Sequence, residues 1–180
     1  MAFDLQPFLR GDLLELRPLQ PEDFPELYAV ASDPLIWEQH PASDRYKEDV
    51  FRGFFRDALE SGGALIAVDR ADGRVIGSSR YHDYDEANSE IEIGWTFLAR
   101  SHWGGVYNWE MKALMLGHAF AFVKSVVFLV GPGNLRSQRA MEKIGGVREG
   151  SRVANGRESF VYRITRSGDP SLPCLPRKPI

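Results

Sequence analysis

Two acidic side chains on one predicted strand could take part in acid–base chemistry. Glu90 and Glu92 lie two residues apart in a stretch rich in β-branched and aromatic residues, which is typical of a strand. Alternation along a strand predicts both carboxylates on one face, with Ile91, Ile93 and Trp95 on the other. Glu92 is the candidate for a general base. A strand carboxylate can equally be solvated or ion-paired, because most carboxylates lie at the surface.

A loop with two adjacent glycines, Gly104 and Gly105, follows this strand and precedes a predicted helix over 108–123. The free N–H groups and the dipole at a helix N-terminus favour an anion, and glycine lets the backbone approach a ligand. Neither the P-loop string nor the dinucleotide fingerprint G-x-G-x-x-G occurs in the chain. The loop is therefore either a site for the pyrophosphate of coenzyme A or a plain strand-to-helix turn.

Several other polar side chains have both a functional and a structural interpretation. Ser137 can cap a turn, ligate a cofactor or donate a proton. Tyr107 can line the site or act as an acid. Asn134 follows Pro-Gly, and capping a helix would explain it fully. None of the four histidines shows the spacing of metal ligands, so no metal site is predicted.

Composition restricts the class of protein. A chain of 180 residues with 43% hydrophobic and 26% charged residues predicts one folded domain with a sizeable core. A net charge of −3 argues against nucleic acid as a partner. No apolar run is long enough to span a membrane and the N-terminus does not resemble a signal peptide, so we expect a cytoplasmic protein.

Hydrophobic periodicity predicts the elements in the order β-α-α-β-β-β-α-β-α-β-β. A helix separates strand 90–97 from strand 125–130, which predicts that these two strands pair in parallel. Asn155-Gly156 predicts a hairpin turn between the last two strands. The domain is expected to cover 1–166, followed by a proline-rich tail over 167–180. The predicted strands span 13–18, 64–69, 74–84, 90–97, 125–130, 147–154 and 157–164, and the predicted helices span 21–32, 46–61, 108–123 and 135–144.

Five short motifs occur along this order of elements. They are Leu16-Arg-Pro-Leu19, Glu90-Ile-Glu-Ile-Gly94, Asn108-x-Glu110-x-Lys112, Asn134-x-x-Ser137-x-x-Ala140-x-x-Lys143-x-Gly145, and Glu149-Gly150. With these motifs the chain resembles the GNAT superfamily of acetyl-CoA-dependent N-acetyltransferases over roughly 13–165. The branch it looks most like contains the ribosomal-protein N-terminal (alanine or serine) acetyltransferases.

The resemblance implies a fold of the α/β (α+β) class. Its central sheet is mixed, mostly antiparallel and flanked by helices, and it splays between its fourth and fifth strands, here 90–97 and 125–130. Acetyl-CoA would enter that gap as cosubstrate, without a metal. The family's pyrophosphate motif, Gln/Arg-x-x-Gly-x-Gly/Ala, falls on 103–108, where all three signature positions differ. A backbone cradle needs N–H groups more than particular side chains. The implied cofactor-binding residues are Leu98, Trp103, Gly104, Gly105, Val106, Tyr107, Asn108, Asn134 and Ser137.

For the acceptor, the resemblance implies a site walled by the connection between the first two helices. The implied substrate-binding residues are Trp37, Glu38, His40 and Tyr46. The acceptor would be a primary amine, on a small molecule or at a peptide N-terminus, bound by a monomer or homodimer.

The resemblance also implies the catalytic residues. Glu92 would be the base, and Ser137 or Tyr107 would protonate the departing thiolate, because Met141 stands where many relatives have a tyrosine. Two alternatives stay open, which are a non-catalytic acyl-CoA-binding or regulatory module on the same fold and a nucleotide-binding protein.

Overall fold

Eight strands form one sheet that carries helices on both of its faces. The computed structural model describes residues 2–154 and 156–166. The strands are β1 (Leu9–Arg10), β2 (Leu14–Pro18), β3 (Ala64–Asp69), β4 (Val75–Asp85), β5 (Glu90–Leu98), β6 (Ser125–Val130), β7 (Val147–Ala154) and β8 (Arg157–Thr165). The α-helices are α1 (Phe24–Ala31), α2 (Glu48–Glu60), α3 (Val106–Ala119) and α4 (Leu135–Lys143).

The strand order is β1-β2-β3-β4-β5-β6-β8-β7, and every neighbouring pair is antiparallel except β5 with β6. The parallel ladder is short, since it pairs 90–92 with 125–127 only. Beyond Glu92 the two strands separate, and β5 continues to Leu98 without β6 beside it. The predicted mixed sheet and its splay are thereby confirmed.

The two faces of the sheet bury separate hydrophobic clusters. On one face α3 packs Met111 and Met115 against Ile91 and Ile93 of β5. On the other face α1 and α2 pack their apolar sides against the sheet, with Phe51 fully buried. Because side chains alternate along a strand, β4 and β5 contribute to both clusters. A residue of β5 therefore faces either α3 or the α1–α2 layer.

The predicted boundaries differ from the observed ones by a few residues. Helix α3 begins at Val106 and ends at Ala119 rather than spanning 108–123, because the chain leaves the helix through a tight turn in which Val123 N–H donates to Ala119 C=O. The short strand β1 was not predicted. Asn155 and the tail 167–180 lie outside the described residues. No helix in the described part of the chain is long and apolar enough to cross a membrane.

A β-bulge in β5 corrects the predicted placement of Trp95. Ser78 pairs with Phe97 while Arg80 pairs with Gly94, so β5 carries one extra residue at this point. Trp95 absorbs the distortion with a φ of 53°, which is unusual for a residue with a bulky side chain. The bulge turns its ring away from the Ile91 face and onto the His82 ring, at 4.9 Å between centroids.

Candidate functional site

Glu92 occupies the point at which β5 and β6 separate. It is the last residue of β5 in the ladder with β6, and its antiparallel partner on β4 is His82. The side chain is only 6% exposed and has no hydrogen bond or ion pair within the described ranges. Burial, reinforced by the negative charge of Asp83, raises the pKa of Glu92 to about 7. This carboxylate can therefore gain and lose a proton near neutral pH.

Glu90 shares the strand with Glu92 but is fully engaged. It pairs with Arg163 of β8 and accepts a hydrogen bond from Ser125 Oγ at 2.8 Å. Arg152 lies 3.8 Å away. Of the two carboxylates predicted on this face, only Glu92 is available for chemistry.

The sheet register brings His82 and Asp83 to Glu92, although their spacing in the sequence did not suggest it. One donor atom from each of the three side chains lies within 4.8 Å of the others. His82 Nδ1 is 3.1 Å from Asp83 Oδ1, but the geometry is not that of a hydrogen bond, and among the described residues this buried nitrogen has no other partner. The three groups could hold a cation, or they could exchange protons with one another.

Ser137 lies in the first turn of α4, at the end of β6 that diverges from β5. Asn134 caps this helix, because its Oδ1 accepts from Ser137 N–H at 3.1 Å, so capping explains Asn134. The Ser137 hydroxyl is half-buried and forms no hydrogen bond in the described part of the chain. It remains free to serve a ligand in the gap.

The loop before α3 has the properties that an anion site requires. Among the described residues no side chain caps the helix, which leaves the N–H groups of its first turn available. Gly104 has a φ of 83°, a backbone conformation that favours glycine. A Cβ on Gly104 or Gly105 would meet no atom within 4 Å, so the loop faces open space. Val106 and Asn108 are half-buried in the first turn.

Trp103 connects the two sides of the splay. Its indole N–H donates to Leu98 C=O at 2.9 Å, and the guanidinium of Arg136 in α4 lies 4.0 Å from its ring centroid. The carbonyl of Leu98, one of the residues implied to bind the cofactor, thus already accepts a hydrogen bond. A ligand in the gap must bind other backbone groups of β5 or displace the indole.

Tyr107 is drawn into a polar network at the carboxyl end of β5. Its hydroxyl donates to Asp69 Oδ2 at 3.2 Å, and His102 Nε2 lies 2.9 Å from the same oxygen. Asp69 is the last residue of β3, and it lies at the same end of the strands as Leu98. Glu92 lies near the opposite end of β5, roughly 20 Å away at about 3.3 Å per residue. The structure therefore does not bring Tyr107 to Glu92.

The predicted acceptor residues lie in the connection between α1 and α2, and they differ in exposure and in hydrogen bonding. Trp37 is 2% exposed and its Nε1 donates to Ala31 C=O, so much of its role is packing. Glu38 is exposed, and the Tyr46 carbonyl accepts from Tyr28 OH. His40 is half-buried beside Arg45, and desolvation together with that positive charge lowers the pKa of His40 to about 4. His40 is therefore neutral at physiological pH.

Two buried cations, Arg80 and Lys112, were not predicted as site residues, and the half-buried Arg45 belongs to the connection expected to wall the acceptor site. Arg80 and Arg45 lie on the α1–α2 side of the sheet, and Lys112 lies on the α3 side. Lys112 Nζ donates to Thr96 Oγ1 at 2.5 Å, and burial lowers its pKa to about 7. A signal for Lys112 existed, since Met115 and Leu116 follow it at helical spacing and place it on the buried face.

The chain matches the family model described as an acetyltransferase (GNAT) domain over residues 14–147. The chain therefore belongs to the GNAT family, and it is an N-acetyltransferase. No curated protein sequence matches it.

Solved structures of the family share its fold. A GCN5-related N-acetyltransferase from Brucella melitensis has a TM-score of 0.76 at 21% identity, covering 89% of this chain and 79% of that one. A GNAT-family acetyltransferase from Bacillus anthracis has a TM-score of 0.73 at 20% identity, covering 88% of this chain and 98% of that one. Mycobacterium smegmatis RimJ, solved in complex with CoA-disulfide, has a TM-score of 0.67 at 20% identity, covering 93% of this chain and 90% of that one.

Proposed function

We propose that this protein transfers an acetyl group from acetyl-CoA to a primary amine, on a small molecule or a peptide N-terminus, by direct attack in a ternary complex. The observation that carries the proposal is Glu92, a buried carboxylate without a partner among the described residues, at the point where β5 and β6 separate. Its pKa of about 7 suits a general base at neutral pH.

The acyl-CoA arm would enter the gap between β5 and β6, with its pyrophosphate over residues 103–108. The free N–H groups of α3 and the open space above Gly104 and Gly105 support this site. Because the site uses backbone donors, it tolerates the altered side chains of the loop. The Trp103 indole would release the Leu98 carbonyl, or pantetheine would bind to β5 nearer the bulge at Trp95.

The chemical step begins with the amine, which is mostly protonated at neutral pH. Glu92 takes that proton, directly or through a water, and the nitrogen attacks the thioester carbonyl. The resulting oxyanion would be stabilised by backbone N–H groups near the bulge at Trp95. As the C–N bond is completed the C–S bond breaks, and Ser137 donates its hydroxyl proton to the thiolate. The second proton that the adduct nitrogen loses returns to the Ser137 oxygen, directly or through a water. Met141 cannot donate a proton, and Tyr107 is held by Asp69.

The test is release of free thiol from acetyl-CoA in the presence of a panel of primary amines, with acetylated product identified by mass spectrometry. Amine-dependent thiol release at a rate above the uncatalysed reaction is expected. Tight CoA binding without turnover of any amine would favour a non-catalytic module. Binding of ATP in preference to CoA would favour a nucleotide-binding protein.

A further inference from the structure

Arg80 is a buried cation that lacks the partners such a group requires. It is only 5% exposed, and within the described residues its Nε and Nη2 are buried without a hydrogen bond. No carboxylate there forms an ion pair with it. Asp57 and Glu92 act on it only at longer range, and Asp57 is itself exposed. A buried guanidinium with free N–H groups is costly unless something else completes its bonding.

Aromatic rings contact the face of the Arg80 guanidinium and, in the described structure, leave the N–H groups along its edge without a hydrogen bond. Its guanidinium carbon lies 4.6 Å from the Trp95 ring centroid and 5.6 Å from that of Phe54. Stacking of this kind uses the face of the guanidinium, so the N–H groups along the edge stay free. Those edge donors match the two oxygens of a carboxylate.

More positive charge surrounds the same place. Arg45 stacks on Phe54 at 4.7 Å, and burial together with the charges of Arg80 and Arg157 lowers the pKa of Arg45 to about 10. His40 is uncharged at neutral pH, and Glu92 is partly protonated there. The buried Arg80 and the half-buried Arg45 therefore leave an excess of positive charge among the described groups of this cluster, which an anion would neutralise.

The cluster shares its sheet face with Glu92. Arg80 pairs directly with Gly94, and Glu92 is two residues from Gly94 on the same strand. Arg80 and Glu92 are thus diagonal neighbours, for which the separation is about 7–8 Å. Gly94 has no side chain, and Glu92 Oε1 would lie 3.2 Å from a Cβ there, so the Glu92 carboxylate lies over the residue that pairs with Arg80.

The connection between α1 and α2 closes the acceptor side tightly. Gln39 Oε1 accepts from Arg136 N–H at 3.1 Å, which ties the connection to α4. Pro41 packs against Gly131 so closely that a Cβ there would lie 2.6 Å from Pro41 Cγ. These contacts favour a small molecule over a polypeptide chain.

We infer that Arg80, assisted by Arg45, binds a carboxylate of the acceptor, which is therefore a small aminocarboxylate with its amine directed at Glu92. The amine end of this assignment rests on the proposed acetyl transfer. The carboxylate end rests on the unpartnered guanidinium edge and its surroundings.

The test compares matched pairs of amines. β-Alanine, 4-aminobutyrate and 5-aminovalerate are each assayed beside their carboxamides for thiol release from acetyl-CoA, and each acid is titrated calorimetrically into the protein with CoA present. We expect at least one acid to exceed its amide by about tenfold or more in kcat/KM. Arg80→Met should abolish that preference, so that acid and amide react at equal rates within the variant, Arg80→Lys should weaken the preference, and the exposed control Arg56→Met should keep it.

Each outcome decides the proposal. Equal rates for acid and amide in every pair overturn the carboxylate site while acetyl transfer stands. Binding of an acid that Arg80→Met abolishes, without turnover of any amine, supports the site and counts against acetyl transfer. The absence of both turnover and binding overturns the proposal. Acetylation of acidic peptides, when no small acid is accepted, also overturns it. Where Arg80→Met does not fold, the wild-type preference and its weakening in Arg80→Lys decide.

Discussion

The two ends of β5 differ in how their polar groups are satisfied. At the carboxyl end Asp69 is bonded to His102 and Tyr107, and Leu98 C=O accepts from Trp103. Nearer the amino end Glu92 and Arg80 are buried, and in the described structure each has bonding capacity that no residue fulfils. A satisfied network stabilises the fold, whereas buried groups without partners are costly and so indicate where a ligand completes them.

The free donors of α3 form a third case beside these two. Their loop is exposed at Gly104 and Gly105, so water satisfies the N–H groups until a ligand arrives. Leaving them free costs the fold little. We therefore expect substitutions there to change cofactor affinity more than stability, and substitutions near Glu92 to change the chemical step.

The largest effect is expected at Glu92. Glu92→Gln should lower kcat/KM by roughly 10²–10⁴, because a positioned base is lost. In the wild type the rate should rise with pH through about 7, since the base acts only when deprotonated and the folded-state pKa is about 7. The measurement is kcat/KM from about pH 6 to about pH 9. Glu90→Gln is the matched control and should keep the pH profile. Near-normal activity of Glu92→Gln across this range would make Glu92 structural.

A smaller effect is expected in the cofactor loop. Gly105→Asp should weaken CoA binding by about tenfold, because a carboxylate at the helix N-terminus repels the phosphates. A Cβ on Gly105 would meet no described atom within 4 Å, so the new side chain has room. Calorimetry measures the affinity, and the neutral Gly105→Asn separates charge from bulk. Equal affinity in the aspartate variant and the wild type would place the pyrophosphate elsewhere.

The hydroxyl groups should have modest and unequal effects on rate. Ser137→Ala should lower kcat several-fold at most, because a thiolate with a conjugate-acid pKa near about 8.5 is a tolerable leaving group. Tyr107→Phe should leave kcat unchanged and instead cost about 0.5–1.5 kcal/mol of unfolding free energy, through its lost bond to Asp69. Steady-state kinetics and urea unfolding measure the two quantities. A larger kcat loss in Tyr107→Phe than in Ser137→Ala would reverse the assignment.

The smallest effect concerns Lys112, which lies on the opposite face from Arg80. Its folded-state pKa of about 7 is below the ordinary value of 10.5, so the charged form is disfavoured in the folded protein. The folded state loses its proton near pH 7 while the unfolded chain keeps it, so this residue's contribution to stability rises with pH between these two values. Relative to Lys112→Met, the wild type should gain in urea midpoint from about pH 7 to about pH 9. A pH-independent difference would mean that Lys112 stays charged when buried.

Much of the fold follows from local patterns in the sequence. Alternating apolar residues identified the strands around Glu92, and helical spacing identified α1 to α4, because both periodicities are local. A helix between β5 and β6 implied their parallel pairing, since such a connection must cross over the sheet. The two-glycine loop before α3 was recognisable because helix termini have local signals.

Tertiary structure decided which side chains meet and which have partners. The bulge at Trp95 was invisible because one extra residue in a strand leaves no mark on composition, yet it moves Trp95 to the Glu92 face. Glu90 and Glu92 look equivalent in the sequence, and only β8 and β6 distinguish them, by supplying partners for Glu90 alone. In the part of the chain that the structure describes, Arg80 has an edge without partners because Phe54 and Trp95, from other segments, contact only its face. Burial and pairing are properties of the assembled chain, so no local pattern encodes them.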